Sequence, residues 1–371
     1  MPARLLIPGP VELEAEVLAV LAQPVVPHYG AAWVEAHNET IALLQRVYET
    51  RNAVYMLPGS GSLAVDSAAH SAFLPGETVI VGHNGWFGER MQDVLRANGV
   101  HVVLLSFDPR TPLDPDAFRQ ALREHPEATG VACVHLETST GVLNPVEAIA
   151  RIVHEESDAL LLVDAVTGLG AAELRTDAWG IDLCVSASQK ALGAPAGLGL
   201  VAVSARAQRR IDARPEAGRS WYLDLGRWRW FAENWADWHP FPVTMPTSVV
   251  LALRCALQGL LHEGLDVRQA RYREMARLLR DYVVSAGMPL FVPEAHMAPT
   301  ITAAFCPDGV MAGDIRDDLL RDHGLQITTG FGSYKDSVIR VGHMGGALTT
   351  TDMHRLIAGL EQVLAQRVTA G

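Results

Sequence analysis

Ser186-Ala187-Ser188-Gln189-Lys190-Ala191-Leu192-Gly193-Ala194-Pro195-Ala196-Gly197 sets a single lysine between two apolar runs, Ile181–Val185 and Leu198–Val203. The first run reads as a buried strand, and the Gly/Pro/Ala-rich stretch as a turn into the second. A lysine at the mouth of a buried strand is desolvated, which disfavours its charged form and lowers its pKa. Such an amine is a nucleophile suited to Schiff-base chemistry. Taken alone, Lys190 is equally a loop lysine, so the rest of the chain decides.

The chain has 371 residues, beyond the usual size of one core, so two domains are expected. Hydrophobic residues are 49% and charged ones 19%, a globular balance. The net charge of −12 leaves no basic stripe for nucleic acid. The four cysteines, Cys133, Cys184, Cys255 and Cys306, form no CxxC pair and read as free thiols in a reducing compartment. With no apolar leader or membrane-length run, a soluble cytoplasmic protein is expected.

Upstream of the lysine, short apolar runs alternate with helical patterns. Val54–Leu57, Thr78–Val81, His101–Phe107, Gly130–Leu136 and Leu160–Val163 read as strands. Continuous apolar strands alternating with helices predict a mainly parallel sheet covered on both faces, an α/β fold. Three strand ends carry chemistry. Pro58-Gly59-Ser60-Gly61-Ser62 opens a helix, and a helix N-terminus behind a glycine turn can cradle phosphate. It equally suits a serine-capped turn. Gly82-His83-Asn84-Gly85-Trp86-Phe87-Gly88 offers an aromatic, Trp86 or Phe87, to stack on a planar ring. Asp164 directly follows four aliphatic residues, so its carboxylate needs a partner. A helix cap or a cationic heterocycle nitrogen would serve.

Beyond Val203, the Trp221–Trp238 segment holds five tryptophans and reads as a lid or as a helical contact. Near Gly264 the composition turns to charged amphipathic helix. The expected divisions are an N-terminal arm over 1–20, a large domain over 21–262 and a smaller α+β domain over 263–371. In the last, Gln326–Thr328 and Val338–Gly342 read as strands. Arg340 interrupts an apolar strand, where a guanidinium needs an anion, either internal or a substrate carboxylate. An anion cradle, a stacking aromatic, a buried aspartate, a buried lysine and an arginine together form the kit that a pyridoxal 5′-phosphate site requires.

With these motifs the chain resembles the class V aminotransferases of PLP fold type I, close to the alanine–glyoxylate and serine–pyruvate enzymes. The resemblance rests on Pro8-Gly9-Pro10, Gly59-Ser60-Gly61, Asn84-Gly85-x-x-Gly88-x-Arg90, Ser139-Thr140-Gly141-Val142-Leu143-x-Pro145, Val163-Asp164-x-Val166, Ser188-Gln189-Lys190-Ala191-Leu192 and Arg340-Val341-Gly342. It implies that Lys190 is the Schiff-base lysine and proton carrier, and that Asp164 pairs with the pyridinium nitrogen. Val166 would pack on one ring face. Phe87, next to Trp86, aligns with the aromatic of the other. Ser60, Gly61 and Gln189 would hold the phosphate, with Ser62 beside them and Thr138 near the ring's phenolate oxygen. Arg340 would bind the substrate carboxylate, and Gly9 and Tyr29 would lie at the substrate. Thr244 looks like a phosphate ligand donated by a partner subunit, which implies a homodimer with shared sites and no metal.

The resemblance implies transfer of an amino group from alanine or serine to glyoxylate or pyruvate. Two departures stand out. Phe241 replaces the usual tyrosine, and His343-Met344-Gly345 resembles pyridoxamine–pyruvate aminotransferase. A cysteine desulfurase or other lyase is the rival within the same chemistry. Such enzymes place histidine before the lysine, where this chain has Gln189.

Overall fold

The computed structural model describes residues 3–215 and 218–368. The N-terminal part runs β1 (Arg4–Leu5), α1 (Ala15–Leu21), α2 (Ala31–Tyr48), β2 (Ala53–Gly59), α3 (Gly61–Ala72), β3 (Thr78–His83), α4 (Trp86–Ala97), β4 (His101–Ser106) and α5 (Pro115–Glu124). It continues through β5 (Gly130–Val134), β6 (Leu136–Glu137), β7 (Val142–Leu143), α6 (Val146–Glu156), β8 (Leu160–Asp164), β9 (Leu183–Ala187), β10 (Gly197–Val203), α7 (Ala205–Asp212), α8 (Leu225–Asn234) and α9 (Thr247–Glu263). The C-terminal part is α10 (Leu265–Ser285), β11 (Ile301–Phe305), α11 (Ala312–His323), β12 (Leu325–Gln326), β13 (Thr328–Thr329), β14 (Val338–Gly342) and α12 (Thr350–Val368). Among the described residues, no helix is long and apolar enough to cross a membrane.

The central sheet has seven strands in the order β2-β10-β9-β8-β5-β3-β4. Its pairs are parallel except those of β10, which runs antiparallel to both β2 and β9. Every residue of β5, β8 and β9 is buried, as strands covered on both faces require. The expected parallel α/β architecture is the one observed.

Two large hydrophobic clusters form, with a third, small one around Val142, Phe291 and Val338. One surrounds the central sheet and runs in sequence from Val17 to Leu260. The second gathers α10, α11, α12 and the strands between them, and it recruits Leu6, Val11 and Ala191 from the N-terminal part. The N-terminal segment is therefore stitched into the C-terminal core. β1 pairs in parallel with β12, and the Gly342 N–H donates to the Leu6 carbonyl at 2.9 Å.

Two local expectations shift. The single strand expected over Gln326–Thr328 divides: β12 serves β1, while β13 pairs antiparallel with β14. The strand before the lysine begins at Leu183, two residues after Ile181. Asp182 is diverted there, because its carboxylate accepts the Leu161 N–H at 2.9 Å and pairs with Arg206.

Candidate active site

Lys190 lies just beyond β9, in a turn closed by the Gly193 N–H donating to the Lys190 carbonyl at 2.9 Å. Its Nζ donates to the Pro8 carbonyl, so the first loop of the chain reaches the lysine. Burial pushes the amine down to about 8; the nearby Arg340 adds to this and Asp164 opposes it. Gly9 has φ +96°, and a Cβ there would stand 2.5 Å from the Lys190 Cδ. Only glycine suits that position, for both backbone and space.

Asp164 ends β8, in register with Val185 of β9, so the sheet presents both groups at one edge. Its carboxyl is buried and Oδ1 accepts the Val166 N–H at 2.9 Å. Burial raises its pKa, and Arg90 and Lys190 pull it back. Val166 in turn faces Gly61, where a Cβ would come within 2.8 Å of its Cγ2. The start of α3 therefore closes on the Asp164 loop. Ser60 caps α3 through its Oγ, which accepts from the Leu63 N–H at 3.4 Å, and Ser62 lies in the first turn. Gln189, before the lysine, keeps a buried Oε1 with no partner. Thr138 shares a 2.6 Å hydrogen bond with Thr167.

Phe87 and Trp86 separate clearly. Phe87 shares with Lys190 a cavity of about 570 Å³, which Trp86 does not line. Trp86 is half-exposed and stacks on Phe331 at 5.8 Å. The Phe87 ring also carries the Arg90 guanidinium 4.6 Å from its centroid. What holds Phe87 is a residue the sequence reading passed over. Glu137 is fully buried, and its Oε2 accepts the Phe87 and Gly88 N–H groups, each at 3.1 Å. Its Oε1 accepts the Ser139 N–H at 3.0 Å. A carboxylate at the N-terminus of α4 also meets the positive end of the helix dipole. Gly85 makes the approach possible, since a Cβ there would lie 2.6 Å from the Glu137 Cγ. The available signal was an acidic residue inside an apolar strand end, the same signal that singled out Asp164.

Arg340 is buried in β14 and lines the cavity of Lys190. Its Nε donates to the Thr329 carbonyl at 2.9 Å and its Nη1 to the Thr138 carbonyl at 2.6 Å. Its guanidinium carbon lies 4.5 Å from the Phe331 centroid. Burial lowers its pKa to about 10, with Glu137 acting in the opposite direction. No carboxylate makes a hydrogen bond or ion pair with it among the described residues.

Gly9, Phe87, Thr138, Lys190 and Arg340 thus line one cavity, with Asp164 electrostatically coupled to its lysine. Tyr29 and Thr244 are not part of it. Tyr29 is half-exposed, its ring 5.6 Å from that of Trp238, and Thr244 is exposed. The tryptophan segment does not line the cavity either; Trp228 is buried, while Trp221, Trp230, Trp235 and Trp238 face solvent.

The family model described as Aminotransferase class-V matches residues 16–348. The chain is similar to a protein named "Soluble hydrogenase, small subunit" from Synechococcus sp., at 33% identity over 98% of this chain and 93% of that one. It is equally similar to the alanine–glyoxylate aminotransferase of Oryctolagus cuniculus, 33% identical over 98% of this chain and 93% of the relative. Among solved structures, an alanine–glyoxylate aminotransferase from Nostoc sp. superposes with a TM-score of 0.92 at 32% identity, covering 98% and 96% of the two chains.

Proposed function

This chain belongs to the class-V aminotransferases, and on that premise we propose that it moves an amino group from alanine or serine to glyoxylate or pyruvate, with pyridoxal 5′-phosphate as cofactor. The observation that carries the reading is the single cavity shared by a desolvated lysine, Lys190, and an arginine with no internal anion, Arg340.

The residues fit the cofactor. The α3 N-terminus at Ser60, Gly61 and Ser62 suits a phosphate, to which the Gln189 amide N–H would donate. Asp164 spends one oxygen on Val166 and keeps the other for a ring N–H. Bound there, the pyridine ring supplies an electron sink for bonds breaking at the substrate's α-carbon.

The chain's own residues do the rest. Lys190, free of its proton above about pH 8, holds the cofactor through Nζ and then carries a proton to and from the substrate's α-carbon. Asp164 would hold the ring nitrogen in its protonated form, while Phe87 and Val166 would pack against the ring and Thr138 would lie near its oxygen. Arg340 fixes the α-carboxylate by its guanidinium fork, so the α-carbon faces Lys190. The donor leaves as an oxo acid before the acceptor enters, giving ping-pong kinetics. Gln189 ahead of the lysine, and a Cys306 thiol pushed by burial up to about 11, favour transamination over desulfuration.

The exposed Tyr29 and Thr244 act in a homodimer, each reaching the partner's cavity, with the exposed tryptophans covered at the contact. The test is the visible absorbance of purified protein after desalting, followed during mixing with single amino acids. Alanine or serine should bleach the band, and glyoxylate or pyruvate restore it. A band indifferent to both donors would overturn the substrate assignment.

A further inference from the structure

A second cavity, of about 650 Å³, lies between the two large hydrophobic clusters, away from Lys190. One wall is α10, which presents Arg273, Arg277 and Arg280 to it at spacings of four and three, one face of a helix. Glu49 and Glu294, with Asp266 of α10 itself, add carboxylates to the lining. Arg175 and Glu173, also on the wall, neutralise each other at 2.7 Å.

Arg280 is the anomaly. It is 6% exposed, yet makes no hydrogen bond to a carboxylate. Its Nη2 donates to the carbonyls of Ala298 at 2.5 Å and Ile301 at 3.1 Å, while its Nε is buried with no partner. The nearest carboxylate, Glu294, stands 4.0 Å from Nη1 and is 62% exposed. Buried charges are normally paired, because an unpaired one bears its desolvation cost uncompensated. Here the fold retains the cation on the cavity wall with its Nε unsatisfied, and its one acid, Glu294, stands just beyond hydrogen-bonding reach.

We propose that this cavity binds a free amino acid as a zwitterion, its carboxylate on Arg280 and its ammonium on Glu294. The balance of the walls argues for the zwitterion. A polyanion would meet Glu49, Asp266 and Glu294, and a simple cation would meet Arg273 and Arg280, since Arg277 is held by Glu274 and Asp281. Through Arg280 the site reaches β11, the strand that pairs with β14. Arg280 holds the Ile301 carbonyl at the start of β11, whose Ala303 pairs with Arg340. Occupancy there bears on the strand that carries Arg340, so the ligand acts as an effector of the aminotransferase. This assignment does not depend on which substrates the enzyme takes.

The experiment uses holoenzyme carrying Arg340→Ala, which removes carboxylate binding at the active site, titrated calorimetrically with 2-aminoisobutyrate. That probe has no α-hydrogen and so cannot be transaminated by α-proton transfer. One site per chain is expected, weakened at least about tenfold by adding Arg280→Gln or, separately, Glu294→Gln. Glu294 is exposed, so its variant keeps the fold even if the Arg280 variant does not. Absence of binding, or affinity unchanged by Glu294→Gln, overturns the proposal. Inorganic phosphate is the second probe. If it binds in an Arg280-dependent way and the amino acid does not, the cavity is a plain oxyanion site and the zwitterion assignment fails.

Discussion

The Glu137 carboxylate reaches across from β6 to the backbone of Phe87, accepting its N–H at 3.1 Å at the head of α4. One buried carboxylate thus sets the height of the aromatic ring in the Lys190 cavity. Glu137→Gln turns an acceptor into a partial donor against two backbone N–H groups. We expect a loss of about 2–4 kcal/mol in unfolding free energy, read by urea titration, with weakened retention of cofactor on desalting.

Phe87 and Trp86 differ by one position and should differ in consequence. Phe87→Ala should weaken cofactor retention about tenfold, since the ring lines the cavity. Trp86→Ala, at a half-exposed ring, should change retention less than about twofold. Equal losses from both would remove Phe87 from the stacking role.

Gly9→Ala sets a methyl group 2.5 Å from the Lys190 Cδ in a backbone conformation of φ +96°. The strain is about 1–2 kcal/mol from the backbone alone. The lysine must also move, so cofactor loading should slow at least about tenfold. Stopped-flow absorbance on cofactor-free protein measures it. Unchanged loading would show that the loop yields freely.

Lys190 gives a pH signature with a definite sign. Its folded value of about 8 lies below the ordinary 10.5. The unfolded chain therefore holds the extra proton between those values, and stability of the cofactor-free protein rises as pH climbs from about 8 to 10.5. Below that window the destabilisation is constant. Lys190→Met should flatten the rise in urea midpoints, and loading of the native protein should accelerate as pH passes 8.

Arg340→Lys keeps the charge but loses the fork that reaches the Thr329 and Thr138 carbonyls. KM for amino and oxo acids should rise about tenfold to a hundredfold, with cofactor retention nearly unchanged. Matching losses in both would contradict a role at the substrate carboxylate.

The architecture was largely legible because the strands are uninterrupted aliphatic runs, and the odd residues within them stood out. Asp164, Lys190 and Arg340 were visible as charges where burial forbids an idle one. Glu137 carried the same mark, but it sits among hydroxyl residues that read as a turn, and its partners are backbone N–H groups some fifty positions earlier, which no periodicity reports. The division of Gln326–Thr328 into two strands was hidden for a similar reason. It depends on β1, more than three hundred residues away, arriving to pair with β12. Arg280 escaped because arginine on a charged helix reads as a solvated face, and only the packed loop over Ala298–Ile301 buries it.

The pairing of β1 with β12 has a consequence for how the protein is made. Arg4 and Leu5 leave the ribosome more than three hundred residues ahead of their partners Leu325 and Gln326. Until then the Pro8–Gly9 loop lacks the β1–β12 pairing and is tied near Lys190 only by contacts such as the Val11 N–H to the Gln189 carbonyl at 3.1 Å, although the sheet that carries the lysine can already be assembled. A nascent chain stalled before that point would hold the lysine and the aspartate without the loop that closes over them. The loop over Lys190 gains its full support only when β1 meets β12.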